Sequence, residues 1–356
     1  MKVQKIELAN KLSKLKAVMP KKTPMAALQT VLVKDGYLIA SDLEITAMVK
    51  CEGMSDASES FLIPDTMIPL ISSLPAGEVE FIPEKVKDGM QITMKTGKIV
   101  NKFQSLDPEV YPASKTMSGE VKSVEIDAED LTQGITHVLF AVGTDEASRM
   151  MQALSMSCAD GYLNFRGLDG HMCAWDSVPM EGTFNLLVPR RSAQQILNMD
   201  MQGTVVLETD GSTARFVTEY VTVETRLIAG EYFKTDKLYA EMPQTAQINR
   251  KEFIEAISRA SSIKQDTNVI KLTFGIEAVK IEMENNRNIY AEEVNLKVGV
   301  NNSVRIGFDP RLLLAALKSF ESDYIFLNID DAAHPIKLQS DESSLKAVVL
   351  PIAIKQ

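Results

Sequence analysis

One spacing recurs three times along this chain and leaves few folds open to it. An apolar residue stands five positions ahead of another at Val3 and Leu8, at Ile126 and Leu131, and at Ile248 and Phe253. The later members of these pairs are 123 and 122 residues apart. A second unit, a short apolar segment ending in a residue suited to a helix start, sits at Leu62-Ile63-Pro64, Leu187-Val188-Pro189 and Gly307-Phe308-Asp309. Positions 64, 189 and 309 are 125 and 120 residues apart, and within each copy the two units lie 56, 58 and 56 apart. Proline opens helices through its fixed φ, aspartate by capping. A smaller echo agrees: Asp35-Gly36-Tyr37-Leu38 returns 125 residues later as Asp160-Gly161-Tyr162-Leu163. Concordant spacings of this kind mark three copies of one domain, each built from two similar halves. The boundaries fall near Val121 and Gln244, giving domains at 1–121, 122–244 and 245–356.

The pattern inside the copies sets the fold class. Leu8, Leu12 and Leu15 form an amphipathic stripe, with Lys11 and Lys14 off it. Phe253, Ile257 and Ala260 repeat the spacing beside Arg250, Lys251 and Arg259, and Leu313, Ala316 and Leu317 lie beside Arg311 and Lys318. Between these helices come strand patterns, at Gln91-Ile92-Thr93-Met94, Thr204–Glu208, Val221 and Val223, and Ile336 and Leu338. The stretch from Asp160 to Trp175 reads as two strands around a tight turn at Asp169-Gly170, where glycine accepts the positive φ such turns need. Each half is then one helix and about four strands, and the domains are α+β, with two helices on one face of antiparallel sheets.

Charge and composition narrow the function. A net charge of −10 argues against nucleic-acid binding over the whole surface but leaves room for a local basic lining. Apolar content of 45% and charged content of 24% suit a soluble globular protein. No run spans a membrane and the amino terminus opens no signal peptide. Cys51, Cys158 and Cys173 are odd in number and lack CxxC spacing, which suits a reduced, cytoplasmic setting. His137, His171 and His334 show no HxxxH spacing, and nothing resembles a nucleophile elbow. No catalytic residue, metal or cofactor is expected.

Taken in order, several short motifs resemble one family over essentially the whole length. They are Ser41-Asp42-Leu43-Glu44, Leu74-Pro75-Ala76-Gly77, Tyr111-Pro112, Leu168-Asp169-Gly170-His171, Leu187-Val188-Pro189-Arg190-Arg191 and Ala347-Val348-Val349-Leu350-Pro351. The chain resembles the bacterial sliding clamp, the beta subunit of the replicative DNA polymerase. The resemblance implies three DNA-clamp domains per chain and a homodimer that closes head to tail into a ring. It further implies that double-stranded DNA is held by encirclement, with helices lining the hole.

The resemblance also implies sites. A groove for short peptides of the replicative polymerase and the clamp loader would involve Met151, Leu168, Gly170, His171, Met172, Cys173, Pro243, Val348, Leu350, Pro351 and Ile352. Met172-Cys173 stands where the family commonly has Arg-Leu, and the ending Leu350-Pro351-Ile352-Ala353, with Ile354-Lys355-Gln356 beyond, departs from the usual one. Position and apolarity survive there, but the polar contacts do not. The DNA channel would draw on Lys11, Lys14, Lys22, Arg149, Arg190, Arg191, Arg250, Lys251, Arg259, Arg311 and Lys318. The dimer contact maps to Phe103 and Ile263, with Asn101 and Lys264 where apolar residues are common. The competing reading is an enzyme or small-ligand protein that keeps the repeat fold without encircling DNA.

Overall fold

Eight strands and two helices recur three times in one order, among the residues the computed structural model describes: 1–54, 60–87, 89–112, 117–145, 148–239, 241–263, 269–284 and 288–354. The first repeat runs β1 (Lys2–Gln4), α1 (Lys5–Lys16), β2 (Thr30–Lys34), β3 (Tyr37–Ser41), β4 (Ile45–Lys50), β5 (Phe61–Pro64), α2 (Met67–Ser73), β6 (Glu78–Val86), β7 (Gly89–Thr96) and β8 (Ile99–Ser105). The second runs β9 (Lys122–Asp127), α3 (Ala128–Leu139), β10 (Ala153–Ala159), β11 (Tyr162–Leu168), β12 (Met172–Pro179), β13 (Phe184–Pro189), α4 (Arg190–Met199), β14 (Thr204–Thr209), β15 (Thr213–Val217) and β16 (Val221–Arg226). The third runs β17 (Gln244–Asn249), α5 (Arg250–Ser261), β18 (Ile270–Phe274), β19 (Ala278–Glu284), β20 (Ile289–Val298), β21 (Val304–Phe308), α6 (Pro310–Lys318), β22 (Tyr324–Ile329), β23 (Ile336–Gln339) and β24 (Lys346–Val349).

The recurrent apolar pairs have a local cause. In each repeat the first member lies on the opening strand and the second in the helix that follows directly, and all six side chains are buried. Leu8, Leu12 and Leu15 are fully buried, as are Phe253, Ile257 and Ala260 on α5. The helix starts differ between copies. Asp309 caps α6, its carboxylate accepting from the Arg311 amide at 2.8 Å with Pro310 at the first helical position. Pro189 ends β13 immediately before α4, whereas Pro64 ends β5 and α2 begins only at Met67. The Asp-Gly echo is a backbone echo too. Asp35 and Gly36 have φ of 50° and 79°, and Asp160 and Gly161 have φ of 55° and 79°. Two successive left-handed residues make the two-residue hairpin turn whose twist matches the flanking strands.

The chain falls into two compact units, Met1–Glu129 with Gln194–Leu227, and Asp130–Ala193 with Ile228–Gln356. The first holds a sheet ordered β1-β6-β7-β8 and another ordered β5-β2-β3-β4-β16-β15-β14-β9, with α1 packed on α2 and β3. The second holds one sheet ordered β13-β10-β11-β12-β24-β23-β22-β17-β20-β19-β18-β21, with α5 packed on α6. Within each unit an antiparallel ladder joins one repeat to the next: β4 to β16, and β12 to β24. Both join the fourth strand of one repeat to the eighth strand of its successor. No helix among the described residues is long and apolar enough to cross a membrane.

Candidate functional site

The second unit gathers most of the expected groove residues through strand register. Leu168 stands opposite Cys173, Cys173 opposite Val348, and Val348 opposite Lys337 across β11, β12, β24 and β23. Side chains alternate along a strand. This row therefore shares one sheet face with Trp175, two residues from Cys173. The same alternation puts Met172 on the opposite face, with Ala174 and Asp176, where it is 8% exposed. Past β24 the chain stays close, because the Leu350 amide donates to the His171 carbonyl at 2.8 Å. Leu350 and Ile352 are exposed and Pro351 half-buried, and the Ile352 amide is tied to the Gly307 carbonyl at 2.7 Å. Pro243 is exposed just ahead of β17, outside this ladder.

The loop at the rim has three residues, Asp169, Gly170 and His171. One Asp169 carboxylate oxygen accepts from the amides of His171 and Met172, both at 2.8 Å, and the Asp169 amide donates to the Met172 carbonyl at 3.2 Å. Gly170 has a φ of 89°, and a Cβ there would lie 3.6 Å from Cε of Met151, so Met151 lies against the loop. Three neighbours went unnoticed in the sequence. Tyr232 has a buried hydroxyl whose pKa is raised by burial, with Cys173 nearby adding to the shift. Arg166 stands opposite Trp175, and the Lys346 ammonium lies 4.8 Å from the Trp175 ring centre. Trp175 was the available signal for this end, alternating in phase with Cys173.

The first unit repeats this backbone with other side chains. Asp42 accepts from the amides of Glu44 and Ile45 at 2.9 and 2.7 Å. The Arg226 amide donates to the Glu44 carbonyl at 3.0 Å, as that of Leu350 does to His171. In place of Leu168, Cys173 and Val348 the row holds Ser41, Thr46 and Glu224. One junction is thus apolar and the other polar on a shared template.

The expected DNA-channel cations divide into two groups. Lys11 donates to the Lys50 carbonyl at 2.7 Å and pairs with Glu7, and Lys14 donates to the Met199 carbonyl at 3.2 Å. Arg190 donates to the carbonyls of Leu139 and Val142, and Arg250 to those of Ser322 and Glu321 at 2.7 and 3.2 Å. The carbonyls of Met199 and Leu139 end α4 and α3, where the backbone lacks internal donors and the helix dipole favours positive charge, whereas those of Val142, Glu321 and Ser322 lie in the loops that follow α3 and α6. Burial lowers the Arg190 pKa, with Asp169 acting the other way. Arg259 is held by Glu292, which raises its pKa, and Arg311 by Asp309. Lys22, Arg149, Lys251 and Lys318 are exposed without an ion pair among the described residues, and Arg191 is exposed.

Phe103 on β8 and Ile263 just past α5 are each half-buried, and the Asn101 side-chain oxygen is buried without a partner. Lys264, Lys355 and Gln356 lie outside the described residues. A cleft of about 710 Å³ belongs to the first unit and includes Leu32, Lys34, Ile39, Lys85, Asp107 and Tyr111; none of the groove residues lines it. One group of possible metal donors occurs among the described residues, Asp330, Asp331 and His334, all exposed in the hairpin between β22 and β23. Asp331 already accepts from two backbone amides and from His334.

Comparison with known proteins converges on one family. Residues 238–353 match the family described as DNA polymerase III beta subunit, C-terminal domain. The chain is 24% identical over 360 residues to a beta sliding clamp of Staphylococcus epidermidis, covering 95% of this chain and 94% of that one. It is 25% identical over 299 residues to the beta sliding clamp of Bacillus subtilis, covering 80% and 77%. Among solved structures, the beta subunit of DNA polymerase III from Thermotoga maritima superposes with a TM-score of 0.88 at 21% identity, covering 99% of both chains. The beta subunit from DNA polymerase of Streptococcus pyogenes gives 0.90 at 18%, also over 99% of both. At such identities the structural likeness speaks for the fold.

Proposed function

This chain belongs to the DNA polymerase III beta-subunit family, and from that premise we propose that it is a sliding clamp, a ring that encircles duplex DNA and tethers the replicative polymerase. It is a processivity factor, not an enzyme. The observation that carries the reading is the rule by which strands join successive repeats. The fourth strand of repeat one meets the eighth of repeat two, and the fourth of repeat two meets the eighth of repeat three. Two strands are left over, β20 and β8. Among the described residues β8 pairs only with β7, and β20 pairs with β17 only at Leu296 and Val298, leaving one edge of its remainder free. Ile99, Val100 and Ile289 on these edges are 43%, 58% and 81% exposed.

An open strand edge presents unpaired backbone groups that proteins normally cover or protect. One further use of the same pairing, β20 of one subunit against β8 of another, covers both. The contact is heterologous, and two of them close a dimer of six domains. Phe103 lies on β8 and Ile263 follows α5, which packs on β20. The domains would divide near residues 121 and 244. Half-buried Leu168 and exposed Leu350 would take a short peptide of the polymerase or of the clamp loader, over a floor formed by Cys173 and Val348, each 2% exposed. One buried Leu or Phe is worth roughly 1.5–3 kcal/mol there. DNA would meet mainly the exposed cations, Lys22, Arg149, Arg191, Lys251 and Lys318, with few contacts and strong salt dependence. The work would be cytoplasmic, with the chromosome.

The test is topological. Loaded protein should stay on closed circular duplex through gel filtration and be lost once the circle is cut. Equal retention on cut and closed DNA would refute encirclement.

A further inference from the structure

Beneath the apolar row lies a polar group that the first junction lacks. Asp176, on β12 one residue past the last paired position of the β12–β24 ladder, is 3% exposed. One of its carboxylate oxygens lies 2.7 Å from Nδ1 of His137 on α3, itself 5% exposed. The other accepts from the Ser177 amide at 2.9 Å and from the hydroxyl of Ser344, two residues ahead of β24. The Ser344 hydroxyl also lies 2.7 Å from the Ser177 carbonyl and accepts from the Ser177 amide at 3.3 Å. Matching the two junctions by their Asp loops puts Val49 where Asp176 stands. Val49 is a buried apolar residue paired with Val221, and that ladder ends on a backbone bond from the Lys50 amide to the Tyr220 carbonyl. A buried carboxylate is costly to keep unless its partners are needed, and here it replaces a position that valine fills without help.

We infer that Asp176 and Ser344 are positioning residues for the groove, locking the β12–β24 ladder in register from below. The ladder is pinned at one end by the bond from Leu350 to His171 and at the other by Ser344 on Asp176 and Ser177. Register matters more here than elsewhere in the sheet. A slip of one residue would turn Val348 from the Leu168–Cys173 row to the opposite face and bring Ala347 or Val349 in its place. His137 extends the lock to α3, so the strand that carries Cys173 is fixed against a helix as well as against its neighbour. The proposal rests on the groove being the peptide site.

The experiment uses the full chain and two readouts. Ser344→Ala, an exposed-loop change that leaves Asp176 and His137 in place, should raise amide hydrogen exchange in β12 and β24 while the other strands stay as in the parent. It should weaken binding of a fluorescent pentapeptide carrying one Leu and one Phe by roughly two- to tenfold, the range of one net hydrogen bond. Ser344→Thr, which keeps the hydroxyl, should restore both. Parental exchange in Ser344→Ala, or raised exchange with parental affinity, would overturn the inference, as would a loss spread evenly over the fold. The exchange readout needs no peptide. If the parent itself fails to bind, the groove reading falls while exchange still judges the lock.

Discussion

Arg190 and Arg191 are adjacent in sequence, and both are expected to face DNA, yet the structure gives them different work. Arg190 is half-buried and donates to the carbonyls of Leu139 and Val142, at the end of α3 and just past it. Arg191 is exposed. Replacing Arg190 with alanine removes two charge-assisted hydrogen bonds, each worth about 1.5–3 kcal/mol. Two things reduce that sum. The site is only half-buried, so water can reach part of what is vacated, and a freed long side chain returns about 1–2 kcal/mol of rotamer entropy. The expected net loss is about 1–3 kcal/mol. It should appear as a lower urea midpoint at unchanged slope, because the surface exposed on unfolding hardly changes. Arg191→Ala should stay within about 0.5 kcal/mol of the parent, as surface changes do, and should instead shorten retention on circular DNA. The decisive comparison is the pair of single variants in urea. Equal midpoints for Arg190→Ala and the parent would refute the capping role, and the double replacement alone could not separate the two effects.

Three further outcomes follow from the same geometry. Leu350→Asp places a carboxylate beside the apolar row and should abolish pentapeptide binding in a polarisation assay while the protein keeps its mass in solution; retained affinity would move the groove elsewhere. Val100→Pro on β8 removes an amide from a free edge and introduces a residue that strand ladders exclude. Light scattering should then find monomer, and a persistent dimer would rule out pairing through this edge. Replacing Lys22, Lys251 and Lys318 together with glutamate should shorten retention on circular DNA and flatten its salt dependence, whereas the same change at Arg250 and Arg311 should act mainly on stability.

The repeat was legible in the sequence because it is a matter of spacing. Leu8, Leu131 and Phe253 are buried at matching places in matching helices, and burial demands apolar side chains at fixed intervals whatever the rest of the chain does. The turns were legible for a similar reason, since Asp160-Gly161 adopts left-handed backbone that few residue pairs accept. The residues expected at the groove could be named from the sequence, but which face each of them takes could not. Met172 and Cys173 are neighbours in sequence and opposites in the sheet, and only the pairing of β12 with β24, across some 170 residues, decides that Cys173 joins Leu168 and Val348. The cations show the same limit. Lysine and arginine on an amphipathic helix look alike in sequence, and whether one meets solvent or a helix-end carbonyl depends on which chain end packs beside it. Local rules act over a few residues and are written in residue order. Register, and the partner of a charge, are set by chain segments that meet only when the protein folds.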